Sequence, residues 1–362
     1  LVGGLNNGGN GYYALDVTDP TNPLPMWEFK VGNCAANPVG ATQDCNLGKT
    51  YGRPAITKLR DGRWVVLVTS GYNNVEQTGS DGGGYLYVLN AADGSIISRI
   101  ATGAGTTASP SGLREINYFV NNQAYDNTAQ RVYGTDVQGN VWRFDVNGIL
   151  APAGVEAVRL GSAKDAAGVA QPITVRPELA EVNGVTMVMV ATGKILATDD
   201  LLTTDVQSVY SFRDPMTGDS PVYDDLRAVL KPMRMTQQGS GSSARRTIAC
   251  SGTGSACNNS TGWYLDLPDS GERVNVSMQS LQGMLVFASN VPSDTMCAGG
   301  GYSWLNYVNL VTGEAVGDGA NENLQVSERF FNEALTVGFT VIRVPGGSGG
   351  AGGLRALGTS GG

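Results

Sequence analysis

The chain has 362 residues, with 24 Lys and Arg against 32 Asp and Glu, a net charge of −8, and no histidine. The length suffices for one large domain or two ordinary ones, while the deficit of basic residues argues against a nucleic-acid partner. Without histidine, Ser-His-Asp and Cys-His catalysis, HExxH zinc sites and any His-ligated metal are excluded within the chain.

In chain order, the first element is half of a repeated unit at 1–30. Leu1-Val2-Gly3-Gly4-Leu5-Asn6-Asn7 resembles Leu67-Val68-Thr69-Ser70-Gly71-Tyr72-Asn73-Asn74. The chain is therefore expected to begin in mid-blade, either as a fragment or with its first strand closing a ring elsewhere. Gly11-Tyr12-Tyr13-Ala14-Leu15-Asp16-Val17-Thr18-Asp19 then reads as an outer hairpin, alternating aromatic and aliphatic residues before an Asx turn. At 51–101, Arg53-Pro54-Ala55-Ile56-Thr57 precedes a turn at Gly62 and the apolar strand Val65-Val66-Leu67-Val68. Tyr85-Leu86-Tyr87-Val88-Leu89-Asn90 supplies its second hairpin. The unit recurs at 108–150 (Asn140-Val141-Trp142-Arg143-Phe144-Asp145), 173–216 (Arg176-Pro177 to Gly193) and 261–315 (Met284-Leu285-Val286-Phe287 and Tyr302 to Gly313). Uninterrupted apolar strands are covered on both faces. A period of roughly forty to fifty residues, two hairpins each, is a β-propeller blade. The expected fold is all-β, a propeller occupying 1–344 with an incomplete set of blades. Residues 217–260 read as a long insertion, and 345–362 as a Gly-rich turn followed by the start of a final strand.

Five cysteines stand at 34, 45, 250, 257 and 297. Exposed free thiols are poorly tolerated, so two local disulfides are expected, Cys34–Cys45 and Cys250–Cys257, in an oxidising compartment. Cys297 is left over, to pair with a missing blade or with Cys250 or Cys257. No signal peptide opens the chain, and no apolar run approaches the roughly eighteen residues of a membrane span. Gly347 to Gly352 matches GxGxxG, but no helix is expected after it to meet a pyrophosphate. Gly48-Lys49-Thr50 lacks the first P-loop glycine, where Gln43 stands. The carboxylate pairs Asp16/Asp19, Asp199/Asp200 and Asp224/Asp225 sit in turn sequences, where Asp accepts backbone hydrogen bonds. No catalytic, cofactor or metal residue is expected. The alternative is a quinoprotein-like periplasmic dehydrogenase, whose blade motif is similar to Tyr87-Val88-Leu89-Asn90-Ala91-Ala92-Asp93-Gly94. Such enzymes carry an adjacent Cys-Cys pair or a calcium cluster beside the quinone, and neither is identifiable here.

Four segments carry a more specific resemblance. They are Leu1 to Leu5 with Gly11 to Pro20, Asp136 to Asp145, Gly262-Trp263-Tyr264-Leu265-Asp266-Leu267-Pro268 running into Gly271 to Asn275, and Ser289-Asn290-Val291-Pro292 leading to Cys297 and Ser303-Trp304-Leu305. Together they resemble the C-terminal propeller of the PilC/PilY family of type IV pilus biogenesis factors and tip-associated adhesins. The resemblance implies a modified seven-bladed propeller whose N-terminal region and first blades are missing here. It implies a non-enzymatic protein at the pilus tip or outer membrane, outside the cell. There the family supports pilus assembly against retraction, and partners would be minor pilins and host-surface receptors.

Many family members also carry a calcium loop, Asp-x-Asp-x-Asp-Gly-x-x-Asp, just before the Trp-Arg-Phe-Asp segment. With Tyr133, Asp136 and Trp142 setting the register, Asn122, Ala124, Asp126, Asn127 and Gln130 fall on its acidic and glycine positions. Only Asp126 keeps a carboxylate. Calcium takes six to eight oxygens and tightens with charged ligands, so the loop is expected to be metal-free, an Asx turn over Asp126-Asn127-Thr128.

Overall fold

Asx residues and glycines cut the apolar runs into short strands, most of which pair with their neighbours in sequence. The computed structural model describes residues 1–122, 124–218, 220–293, 300–316, 324–344 and 353–361. It divides into two units, residues 1–162 with 216–224 and residues 163–215 with 225–362.

In the first unit, β1 (Val2–Gly4), β2 (Gly11–Asp16), β3 (Leu24–Val31) and β4 (Gln43–Asp44) form a four-stranded sheet. The next sheet is β5 (Ala55–Lys58), β6 (Trp64–Thr69), β7 (Tyr85–Asn90) and β8 (Ile96–Ala101), antiparallel throughout. A third holds β9 (Glu115–Asn122), β10 (Asp126–Thr135), β11 (Asn140–Phe144) and β12 (Ala157–Ser162). One parallel bridge, Lys58 to Thr128, links the last two. The apolar run of β6 is explained by its two covered faces. Val65 and Leu67 join Leu86, Val88, Ile116, Val132 and Phe144 in one core layer. Val66 and Val68 join Tyr87, Leu89, Tyr12, Trp27 and Phe29 in the other. Val65 to Val68 of β6 and Leu86 to Leu89 of β7 are at most 1% exposed, each worth about 1.5–3 kcal/mol relative to exposure.

In the second unit, β13 (Glu178–Val182), β14 (Val185–Ala191) and β15 (Ser208–Arg213) are followed by the one-turn α1 (Leu226–Val229). Then come β16 (Lys231–Gln238), β17 (Arg245–Cys250) and β18 (Gly262–Asp266). β18 pairs with β15 and completes that blade. Gly262 to Pro268 therefore belongs to the unit at 173–216, not to the one at 261–315. A long connection separates β15 from β18, and local pattern does not reveal such a partner. The stretch 217–260 is also more than an insertion. The β16–β17 hairpin runs parallel to β18 on one side and pairs with β22 (Ser327–Phe331) on the other. Its alternation is short: Lys231, Met233 and Met235 are the buried residues of β16.

β19 (Gln279–Leu281), β20 (Met284–Pro292) and β21 (Gly301–Asn309) form the last four-stranded blade with β22. A terminal hairpin, β23 (Leu335–Val344) with β24 (Gly353–Gly361), follows it. Two carboxamides grip β23 as a strand would. Asn290 bonds both the N–H and the carbonyl of Thr336, each at 2.8 Å. Gln279 bonds Phe339 O at 2.8 Å and Val341 N at 3.1 Å. Residues 345–352 of the Gly-rich stretch lie outside the described residues. No helix among the described residues is long and apolar enough to cross a membrane.

One contact recurs in both units. Trp27 of β3 lies on the Gly94 turn after β7 and donates its indole N–H to Ala91 O at 2.9 Å. Trp263 of β18 lies on the Gly313 turn after β21 and donates to Leu310 O at 3.2 Å. In each case the accepting carbonyl follows the Asx residue, Asn90 or Asn309, and the glycine comes three residues later. A Cβ at Gly94 would stand 2.6 Å from the Trp27 ring, and one at Gly313 2.7 Å from the Trp263 ring. Both glycines also have positive φ, 73° and 71°. We expect Gly94→Ala and Gly313→Ala each to lower stability by about 2–4 kcal/mol, combining left-handed strain with displacement of the indole. Thermal or urea unfolding checks this.

Candidate functional site

The resemblance motifs converge on two buried polar centres, one in each unit. In the first, the turn from β10 to β11 wraps around Asp136, which is fully buried. Its carboxylate accepts from the backbone N–H of Gln138 at 3.0 Å and of Asn140 at 2.9 Å. It also accepts from Asn140 Nδ2 at 3.0 Å and from Trp142 Nε1 at 2.9 Å. Burial raises the Asp136 carboxyl above its ordinary value, against the pull of Trp142 and Asn140. The neighbouring Arg143 is 1% exposed and donates to Ala151 O at 2.9 Å and Thr217 O at 2.8 Å. Asp145 accepts from the N–H groups of Asn147 at 2.9 Å and Leu150 at 2.7 Å. Each charged or polar residue of the Gly-Asn-Val-Trp-Arg-Phe-Asp segment thus holds a turn or strand end.

The second centre is built on the loop after β18, Asp269-Ser270-Gly271-Glu272-Arg273. Glu272 and Arg246 are both fully buried and form a bidentate pair at 2.8 and 2.9 Å. Asp269 reaches the same guanidinium at 2.9 Å and accepts from Tyr302 Oη and Trp304 Nε1, each at 2.9 Å. Arg246 lies 3.8 Å over the Trp304 ring, and Arg329 lies 3.5 Å over Tyr302. Arg273 spends its guanidinium on the carbonyls of Gly271, Lys194, Asp200 and Thr203. Arg273 and Tyr302, at the margin of this centre, also line a cleft of about 760 Å³ with Thr203, Ser270, Asn332 and Glu333, while Arg246 and Glu272 lie buried behind it. Burial, reinforced by Asp269, raises the Tyr302 phenol, so it donates rather than ionises. The arrangement can bind through hydrogen bonds and shape. Arg246 was missed in sequence because its partner lies 26 residues away; the doublet Arg245-Arg246 on one strand was the available signal, since one of the two must point inward.

The other residues singled out in sequence are turn residues. Asp16 accepts from Thr18 N at 2.9 Å and Asp19 from Thr21 N at 3.0 Å, and the paired Thr hydroxyls hold both carboxyls below their ordinary value. Asp200 accepts from Leu196 N at 2.8 Å and pairs with Lys194 at 2.8 Å. Asp224 pairs with Arg159 at 3.1 Å, and Asp225 caps α1 through Arg227 N at 2.9 Å. Disulfides join Cys34 to Cys45 and Cys250 to Cys257. Beside the first, Asp44 is fully buried and paired with Arg99 at 2.8 Å. Cys297 lies outside the described residues.

The loop at Asn122 to Gln130 is the β9–β10 hairpin end; Gln123 and the side chain of Asn122 lie outside the described residues. Asp126 Oδ1 accepts from Thr128 N at 3.1 Å and Thr128 Oγ1 at 2.6 Å, and meets Lys58 Nζ at 3.0 Å. Thr128 and Lys58 hold this carboxyl below its ordinary value. Gln130 turns its amide N–H to the Thr128 carbonyl at 3.4 Å. Calcium needs several converging oxygens. Ala124 supplies no side-chain oxygen and the single carboxylate already faces an ammonium, so these residues do not fit the ion.

Removing one partner of a buried ion pair strands the other charge, so Glu272→Ala should cost about 3–5 kcal/mol in urea unfolding. The pH dependence of Asp136 is opposite to that of Asp16 and Asp19. The folded chain holds the Asp136 proton more tightly than the unfolded chain, so acidification through its raised pKa, down to the ordinary carboxylate value, adds stability from this group. Asp16 and Asp19 lose theirs as pH falls from the ordinary value through their lowered ones. Asp136→Asn puts an amide N–H where a carboxylate oxygen now accepts from N–H donors, so it should lower stability at pH 7. Without the acid gain of the raised carboxyl, the remaining stability should fall more steeply in acid, measured as urea midpoints across pH.

Comparison with known proteins agrees with these motifs. The type IV pilus biogenesis factor PilY1 of Pseudomonas aeruginosa is 27% identical over 352 residues, covering 86% of this chain and 29% of that protein. A PilY1 homolog of Xylella fastidiosa is 29% identical over 340 residues, covering 87% and 22%. The chain spans less than a third of the length of either relative. The crystal structure of the Pseudomonas aeruginosa PilY1 C-terminal domain superposes with a TM-score of 0.72 at 24% identity, over 99% of this chain and 79% of that one, which shows the propeller fold. The family model for the PilY1 β-propeller domain matches residues 1–226, and the chain belongs to that family.

Proposed function

We propose that this chain is the propeller part of a type IV pilus biogenesis factor and works as a non-enzymatic binding scaffold. On this reading it supports pilus assembly and opposes retraction by engaging minor pilins at the pilus tip, outside the cell and in association with the outer membrane. Adhesion to host-surface receptors is the second job of the same exposed loops. The observation that carries the reading is the family match, together with the PilY1 relatives aligned along most of the chain.

The chemistry of the buried centres supports a scaffold rather than an enzyme. Asp136, Glu272, Asp269 and Arg246 are committed to bonds within the fold. General acid–base work needs a group poised to exchange a proton with a substrate, and the Arg246–Glu272 pair is sealed from solvent. The disulfides suit an oxidising compartment.

The test is retention of purified minor pilin ectodomains by the immobilised chain. Retention of at least one, with no quinone-dependent dye reduction, is expected. Retention of none, alongside measurable quinone-dependent dye reduction, would replace this reading with the dehydrogenase.

A further inference from the structure

The end of the β9–β10 hairpin is fastened to the neighbouring blade through one short stretch of β5. Lys58 Nζ meets Asp126 at 3.0 Å and lies 5.8 Å over the Trp64 ring. Thr57 Oγ1 donates to Asn127 O at 2.6 Å, and Asn127 Nδ2 donates to Ile56 O at 3.3 Å. Tyr118 Oη, from β9, donates to the same Ile56 carbonyl at 3.4 Å. The bridge between Lys58 and Thr128 completes the contact. Three consecutive residues of β5 thus take hold of three consecutive residues of β10, and the ammonium sits against the one carboxylate that the loop retains.

We propose that Lys58 is a built-in cation that takes over the charge role of calcium in this loop, fixing the β9–β10 hairpin to β5 without metal. A loop ordered by calcium needs several carboxylates to gather around a divalent ion. A single carboxylate is balanced by a single ammonium, and the remaining order comes from the neutral bonds of Thr57, Asn127 and Tyr118. The consequence is a hairpin held in one position at any calcium concentration. The inference rests on the ion pair and the strand contacts, and it stands apart from the pilus role proposed above.

The experiment is hydrogen exchange of the full chain over residues 54–59 and 126–132, in calcium and in chelator. Wild-type exchange should be the same in both buffers. Lys58→Met should exchange roughly two- to fivefold faster at these segments, the effect of losing a half-exposed ion pair, and Lys58→Arg should stay close to wild type. Raising NaCl on wild type weakens the same pair by screening and should also speed exchange there, which tests the ion pair in the unaltered chain. Two results would overturn the proposal. One is saturable, calcium-dependent protection of wild type below about 10⁻⁴ M that vanishes in Asp126→Ala. The other is exchange at these segments that neither salt nor Lys58→Met changes. Neither readout depends on minor pilins, so this proposal and the pilus role can fail separately.

Discussion

A four-stranded sheet with two apolar faces is stable only when each face meets another sheet at a fixed angle and height. Hydrophobic burial supplies the energy but no direction. Direction comes from an indole laid on a glycine turn, seen once in each unit, at Trp27 on Gly94 and at Trp263 on Gly313. The ring needs the missing Cβ, and its N–H needs the carbonyl three residues before the glycine. Both requirements are met at one register, so the contact sets how an outer strand seats on the next blade. Strand geometry then divides β6 between the two layers, Val65 and Leu67 to one and Val66 and Val68 to the other.

The buried polar residues do a second job, which is to fix where each blade turns. Asp136 gathers the N–H groups of its own turn and the Trp142 indole, so the strand entry is specified by buried hydrogen bonds to one carboxylate. Glu272 and Asp269 do the same for the loop after β18, with Arg246 as counter-charge and Trp304 as its stacking surface. Arg246 comes from β17, so this centre also ties the β16–β17 hairpin to the blade it joins. The family motifs are therefore fold-building motifs.

The fold was legible because its repeat has a physical cause. A strand covered on both faces is apolar over most of its length, and the runs Val65-Val66-Leu67-Val68, Met187-Val188-Met189-Val190 and Met284-Leu285-Val286-Phe287 announce that. Asx residues before tight turns were legible for the same reason, since Asn90, Asp145 and Asn309 close local hydrogen bonds within a few residues. What stayed hidden depends on long-range partners. The place of β18 beside β15 follows from sheet pairing across a long connection, and β16 carries too few alternating apolar residues to signal a strand. Trp263 and Asp136 stood out as motif residues, but their roles needed the glycine turn and the donor cluster in space. Lys58 gave no signal, because its carboxylate lies on the next blade.

If the indole–glycine contact couples neighbouring sheets, disturbing it on one side must loosen the other. Hydrogen exchange of Trp27→Leu measures this directly. The account predicts faster exchange both in β3, which carries the substitution, and in the β7–β8 turn around Gly94, which does not. Faster exchange confined to β3, with the Gly94 turn protected as in the wild type, would contradict it.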